Sequence, residues 1–381
     1  TMGFSGSAWI LFLLSYLCPM PKPYLMIGLM SGSSLDGLDA ALCSFETDGT
    51  GLWSGQILAT HSSSFPHSLE LSLRNARTSS ALELMETDAA FVRFSAAAVQ
   101  SLCNQTGIQP LAIASHGHTV FHHPAAGYTT QIGNGGLLSG LLGLPVVSDF
   151  RTLDVGLGGQ GAPLVPGAER FLFSEYDACL NLGGICNISF PKQSPFLGFD
   201  IAPCNQLLNL AASWIGLDYD PEGRNAAQGQ LIPELMSELD SLPYYGLPYP
   251  KSLGNEDVAR IWIPVCEKWR QRPKDVMRTV CVHAARQIAR SVTPLVKNGK
   301  MLVTGGGAFH DFLIRMIREE LGKEWTVEIP TPELISFKEA YCFAFLGLKR
   351  ILNEPNCFAE VTGAKTDSVC GALYGRVRLP D

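Results

Sequence analysis

Short apolar runs alternate along this chain with longer stretches whose apolar positions recur at helical spacing. Residues 24–30 read as a buried strand ending in a Ser/Gly loop, 37–45 as its hairpin partner and 55–62 as a third strand. In residues 81–103, Leu82, Met85, Ala89, Val92, Ala96 and Val99 fall on one helical face. Two short buried strands follow: 111–115 delivers the polar run Ser115–Thr119, and 146–148 delivers Asp149. The theme then repeats. Residues 178–182 and 185–190 read as strands joined at Gly183-Gly184, and 198–201 gives way to a helix over 205–215. Residues 241–254 read as a loop with structure of its own. Helices are expected at 256–271 and 274–297, a strand at 300–304, a helix from about His310 and a last clear helix at 337–352. Strand–turn–strand units followed by helices, occurring twice, predict two α/β domains with mixed sheets and a cleft between them.

The length of 381 residues suits two domains at roughly 100–200 residues each. With 46% hydrophobic and 17% charged residues, general disorder is excluded, and a core of ample size is available. The net charge of −7 argues against a nucleic-acid protein working through a broad basic face. The eleven cysteines include no CxxC pair, so a zinc site or disulfide framework is not expected and a reducing, cytoplasmic setting fits. The apolar run 8–18 is too short to span a bilayer at about 20 residues. It also lacks the flanks of a secretory signal. Residues 1–20 are therefore read as an extension outside the fold, with membrane contact as the alternative.

Three glycine-rich turns each follow an expected strand: Ser31–Gly37, Asn181–Gly184 and Thr304–Gly307. Backbone N–H groups presented without side-chain obstruction suit phosphate, so three such turns point to a nucleotide, although none has P-loop spacing. Asp36 and Asp39 lie just beyond the first turn, where a carboxylate can hold Mg²⁺ directly or through water. The plain alternative is hairpin-turn chemistry for Asp36 and a solvated strand end for Asp39. Asp200 ends the apolar run 196–199 and is placed to accept a proton at the lip of a cleft, or else to serve as a helix N-terminal acid. Glu339, expected at the start of the last helix, has the same two readings. His116, His118, His122 and His123 form a cluster better suited to hydrogen bonding than to zinc. The run Gly156–Pro166 reads as a tight connection allowing close backbone approach.

The stretches IGLMSGSSLDGLDAAL (27–42), SHGHTVFHHP (115–124), QIGNGGLL (131–138), VVSDFRTLDVGLGGQGAPLVP (146–166), LNLGGICNIS (180–189), GFDIAPCNQLLN (198–209), PKSLGNE (250–256), VTGGGAFH (303–310), EAYCFAFL (339–346) and VTGA (361–364) resemble the anhydro-N-acetylmuramic acid kinase family. They occur in family order from about residue 24 to 375. The resemblance implies a two-domain α/β fold of the sugar kinase/Hsp70/actin (ribonuclease H-like) kind with an interdomain active-site cleft. Domain I would take 21–150 plus about 355–381, and domain II 151–354. It further implies a cytoplasmic enzyme, able to form a homodimer, that uses ATP and Mg²⁺. Such an enzyme opens 1,6-anhydro-N-acetylmuramic acid with water and yields N-acetylmuramic acid 6-phosphate in cell-wall recycling.

On the same resemblance, Gly32, Ser33, Ser34, Leu35, Asp36, Gly37, Leu38 and Asp39 form the first phosphate loop, with Asp36 toward the metal. Gly183 and Gly184 form the second loop, and Gly305, Gly306 and Gly307 the adenosine-side turn. Asp200 matches the catalytic base and Glu339 a second catalytic position. Thr119 and Arg151 match sugar contacts. The chain departs from the family pattern at Ala202 and Cys204, where glycines are common beside the base, at His118 for Gln, and at Asn209 for Asp. Extra Cβ atoms beside the base are expected to narrow the pocket. A weakened sugar- or nucleotide-binding sensor on the same fold, or a kinase for another sugar, is the alternative.

Overall fold

The computed structural model describes residues 23–379 apart from Ser33, Ser34, Asp36 and Pro250. The extension at 1–20 and three of the first-loop residues thus lie outside the described residues.

Tyr24–Met30 (β1), Leu38–Thr47 (β2) and Trp53–Ser63 (β3) form an antiparallel meander; Ala112–Ser115 (β4) joins β1 in parallel. His118–His123 (β5) and Tyr128–Ile132 (β6) make a separate hairpin, and Val146–Ser148 (β7) pairs in parallel with β4. Ala178–Leu182 (β8), Ile185–Phe190 (β9) and Leu197–Pro203 (β10) repeat the meander. Gly299–Thr304 (β11) and Trp325–Glu328 (β12) then continue the second sheet in parallel, while Ala372–Tyr374 (β13) returns to the edge of β7. The sheet orders are β13-β7-β4-β1-β2-β3 and β10-β9-β8-β11-β12. Setting β13 aside, both have the order 3-2-1-4-5 with the same strand directions. That is the ribonuclease H-like arrangement, present twice.

The near-continuous apolar character of β1 and β2 follows from burial on both faces. Ile27, Leu29, Ala40 and Leu42 face the helix Ala81–Thr106, whose Phe91, Val92 and Val99 close one core. The alternate residues Met26, Ala41 and Cys43 face the helix Pro332–Ile351. Gly28 is obligatory here, because a Cβ on it would lie 1.8 Å from the Ala340 carbonyl oxygen. The second sheet divides in the same way. Leu180, Leu182, Met301 and Val303 pack toward the helix Pro273–Val292, whereas Cys179 and Leu302 join the core of the Pro332–Ile351 helix. This last helix, with Val165–Leu172, therefore lies between the two sheets.

Helix ends follow local chemistry. Ser80 and Glu83 form a reciprocal capping box, and Gly107 ends that helix in the left-handed region. The helix expected over 256–271 runs over 255–267 and is interrupted by a π segment. Asn255–Asp257 runs into a π turn at Val258–Trp262 and a short α segment Ile263–Glu267, with Pro264 supplying no N–H. Among the described residues no helix is long and apolar enough to cross a membrane.

Candidate active site

Parallel strands of α/β sheets present ligands at their carboxyl ends. Here β1 leads into Ser31, β4 into His116, β8 into Gly183 and β11 into Gly305. The second and third glycine turns pack on each other. A Cβ on Gly305 would lie 2.8 Å from the Leu182 carbonyl, and one on Gly307 would lie 2.7 Å from the Leu182 Cβ. Gly305 has φ 79°, so glycine is required there for conformation as well as for space. Asn205 at the start of the next helix donates to the Leu182 carbonyl at 2.9 Å, tying the two turns together. Gly306 faces open space: a Cβ on it would come no closer to the protein than 3.7 Å, at Asn205 Nδ2. At the first turn, Ser31 Oγ lies 3.1 Å from His118 Nδ1. Leu35 takes φ 61°, and Gly37 abuts the Ser63 carbonyl.

Asp200 does not end its strand; it lies within β10, beside an irregularity in the register between Asp200 and Ala202. The Pro/Tyr/Gly-rich loop at 241–254 holds it. The Lys251 carbonyl accepts from Asp200 N at 3.0 Å, and Tyr244 donates its hydroxyl to the Asp200 carbonyl at 2.7 Å. Leu253 N donates to Asp200 Oδ2 at 2.9 Å. Burial raises the pKa of this carboxyl, and the hydrogen bonds from Leu253 and Ser252 oppose the rise. Ala202 and Cys204 do not narrow the cleft as expected. Both are fully buried in the core of the second sheet, with Leu207, Leu208 and Cys186.

Glu339 also differs from expectation. Thr331 caps the last helix at the Leu334 N–H, so the helix starts at Pro332 and Glu339 sits in its middle. Its side chain keeps contact with solvent. The surrounding protein nevertheless raises its pKa through desolvation, against Lys338 and Arg151 and with the help of Asp39 and Glu169. Arg151 follows Asp149, whose φ of 56° turns the chain at the end of β7. The Arg151 guanidinium donates to the Gly161 carbonyl at 2.6 Å and to His116 Nε2. Burial lowers its pKa to about 10, with Glu339 opposing the fall. Thus Arg151, Glu339 and Asp39 are brought into electrostatic contact. Thr119 stands exposed on β5, opposite Gln131 of β6, whose amide reaches its hydroxyl at 3.4 Å.

Several residues of the site give no signal in the sequence. Lys338, next to Glu339, is buried and pairs with Glu169 at 2.5 Å and with Thr304 Oγ1 at 2.9 Å, one residue before Gly305. Glu169 also accepts from Ser189 of β9. Gln131 Oε1 is buried without a hydrogen-bond partner among the described residues. Just before the 156–166 connection, Asp154 accepts from Gly161 N at 2.7 Å and from Thr362 Oγ1 at 2.7 Å. That carboxylate explains Gly159, where a Cβ would strike it, while Gly158 and Gly161 are set by their positive φ. Among the described residues no three His, Cys, Asp or Glu side chains converge as a metal site.

Residues 24–376 match the family described as "Anhydro-N-acetylmuramic acid kinase". A protein of that name from Nitrosospira multiformis is 35% identical over 363 residues, covering 91% of this chain and 98% of the relative. Another from Aliivibrio fischeri is 36% identical over 369 residues, covering 91% of this chain and 98% of the relative. Among solved structures, component A of the (R)-2-hydroxyglutaryl-CoA dehydratase of Acidaminococcus fermentans is 14% identical. It covers 84% of this chain and 96% of that one, with a TM-score of 0.44.

Proposed function

Because the chain belongs to the anhydro-N-acetylmuramic acid kinase family, we propose that its cleft opens 1,6-anhydro-N-acetylmuramic acid with water and phosphorylates the freed O6 from ATP. The observation that carries the assignment of roles is Asp200. Its carboxylate is oriented by Leu253 N–H and its basicity is raised by burial, as suits a group that takes a proton near neutral pH.

Asp200 accepts the proton of the water that attacks the anomeric carbon. The C1–O6 bond breaks, and O6 attacks the γ-phosphorus in line with the departing ADP oxygen. Little covalent chemistry falls to the protein in such a transfer; alignment and charge neutralisation dominate. Glu339, Arg151 and Thr119 line the sugar side. The turns at Gly183-Gly184 and Gly305–Gly307, with the first loop, line the nucleotide side, where backbone N–H groups meet phosphate. Mg²⁺ accompanies the nucleotide and needs only one or two carboxylates besides phosphate oxygens. Asp39, opposite Met30 in the β1/β2 register, offers an oxygen donor of that kind, and Asp36 is the second acid of the same loop, so the residues fit the ion. When bound, it neutralises charge on the transferring phosphoryl group. The setting is the cytoplasm, where ATP is supplied.

Incubation with Mg-ATP and 1,6-anhydro-N-acetylmuramic acid, followed by product mass, tests the reading. A product heavier by one water and one phosphoryl group is expected. ADP release with other sugars only would replace the substrate, and phosphorylation without water uptake would remove the ring-opening step.

A further inference from the structure

His116 is held unlike the other histidines of its cluster. Its Nε2 faces two nitrogens of Arg151, Nε at 3.2 Å and Nη2 at 2.8 Å. A guanidinium has donors only, so Nε2 carries a lone pair and the ring proton resides on Nδ1, 2.9 Å from the Gly117 carbonyl. That carbonyl is fixed in turn. Gly117 has φ 74°, and a Cβ on it would lie 2.4 Å from the Ile132 carbonyl oxygen. The imidazole is 5% exposed and its ring centre lies 4.7 Å from that of Phe343, on the helix that carries Glu339.

The remaining terminal nitrogen of Arg151, Nη1, is taken by the Gly161 carbonyl at 2.6 Å. Both fixed acceptors are uncharged. They set the plane of the guanidinium without cancelling its charge, which a carboxylate at position 116 would do. Burial and the neighbouring cation together hold the imidazole neutral, its pKa lowered to about 3.

We propose that His116 is a positioning residue, a neutral acceptor that aims the Arg151 cation beside Glu339 and leaves its charge for the sugar. This rests on the reading of Arg151 as a sugar contact. His116→Phe keeps the packing on Phe343 and removes the acceptor. His116→Gln restores an acceptor at similar reach, whereas His116→Asn ends short of Arg151. The expected result is a sugar KM raised about tenfold in the Phe and Asn variants, the size of one lost charge-assisted hydrogen bond. The ATP KM should stay within about twofold, Gln should recover most of the loss, and Arg151→Ala should mask the effect of His116→Phe.

An unchanged sugar KM in His116→Asn, equal damage from Gln and Asn, or additive effects with Arg151→Ala would overturn the proposal. If His116→Phe does not fold, the Gln–Asn contrast decides. If Arg151→Ala itself leaves the sugar KM intact, the underlying sugar-contact reading fails, and with it this inference. A raised KM in Arg151→Ala beside a normal one in His116→Asn sinks this inference alone.

Discussion

Lys338 and Glu169 form an ion pair of 2.5 Å in which each side chain is 5% exposed. Burial pushes the lysine's pKa down; Glu169, together with Cys179 and Cys342, more than offsets that and raises it above the ordinary lysine value. The pair joins the inter-sheet helix to the strand end carrying Gly305, through Thr304. Removing one partner strands the other charge. Lys338→Met should therefore destabilise the fold by about 3–5 kcal/mol. Lys338→Met with Glu169→Gln should recover a good part of it. Denaturant melts of the parent, both single variants and the double variant check this, and an additive double variant would show that the two do not act as a pair.

Asp200→Asn should lower turnover by roughly 10²–10⁴-fold, the span of a general base. ATP affinity should be largely kept, since the glycine turns are untouched. Steady-state kinetics with nucleotide titration distinguish a lost base from a lost site.

The base must be unprotonated to work, so activity falls as pH falls through its folded pKa. Burial places that acid limb above the ordinary aspartate value. The Ser252 hydroxyl donates to the carboxylate and pulls the limb back down. Ser252→Ala should accordingly move the acid limb of kcat/KM to higher pH, with the alkaline limb in place. The same raised pKa means that the fold binds this proton more tightly than the unfolded chain. Stability from this group thus declines as pH rises between the two values.

Adjacent glycines should respond differently. Gly305→Ala meets both a positive φ and the Leu182 carbonyl, and should cost about 1–3 kcal/mol. Gly306→Ala meets no steric barrier in the protein and should melt like the parent. If its open side faces nucleotide, the ATP KM rises while the sugar KM holds. Equal melting of both variants would count against the packing of the two turns.

The strands of both meanders, and the glycine turns that follow β1, β8 and β11, are legible in the sequence because a buried strand and a tight turn have few sequence solutions. β8 and β9 run over the residues that their apolar runs predict, Ala178–Leu182 and Ile185–Phe190. Glu339 falls mid-helix rather than at the helix start because the Thr331 cap and Pro332 lie before the apolar pattern becomes clear. Asp200 is visible as an acid after an apolar run, but its anchors are not. Tyr244, Ser252 and Leu253 reach it from a stretch whose path has no periodicity to read. Lys338 opposite Glu169 is equally hidden, since a lysine in an amphipathic helix reads as a solvated position until another segment is laid against it. Ala202 and Cys204 read as site changes from proximity in sequence. The irregularity in β10 between Asp200 and Ala202 breaks strict alternation, and Ala202 and Cys204, the latter just past the strand, lie in the core.

Gly28 in β1 touches Ala340, and along the chain the whole second sheet stands between the two. During synthesis the first meander leaves the ribosome with one face uncovered, and Met26, Ala41, Cys43 and Ala114 wait in water for a helix not yet made. The first half of the chain thus has no finished state of its own. Its maturation is tied to late translation: a nascent chain stalled before residue 332 lacks the helix Pro332–Ile351 and leaves the apolar residues that pack on it exposed.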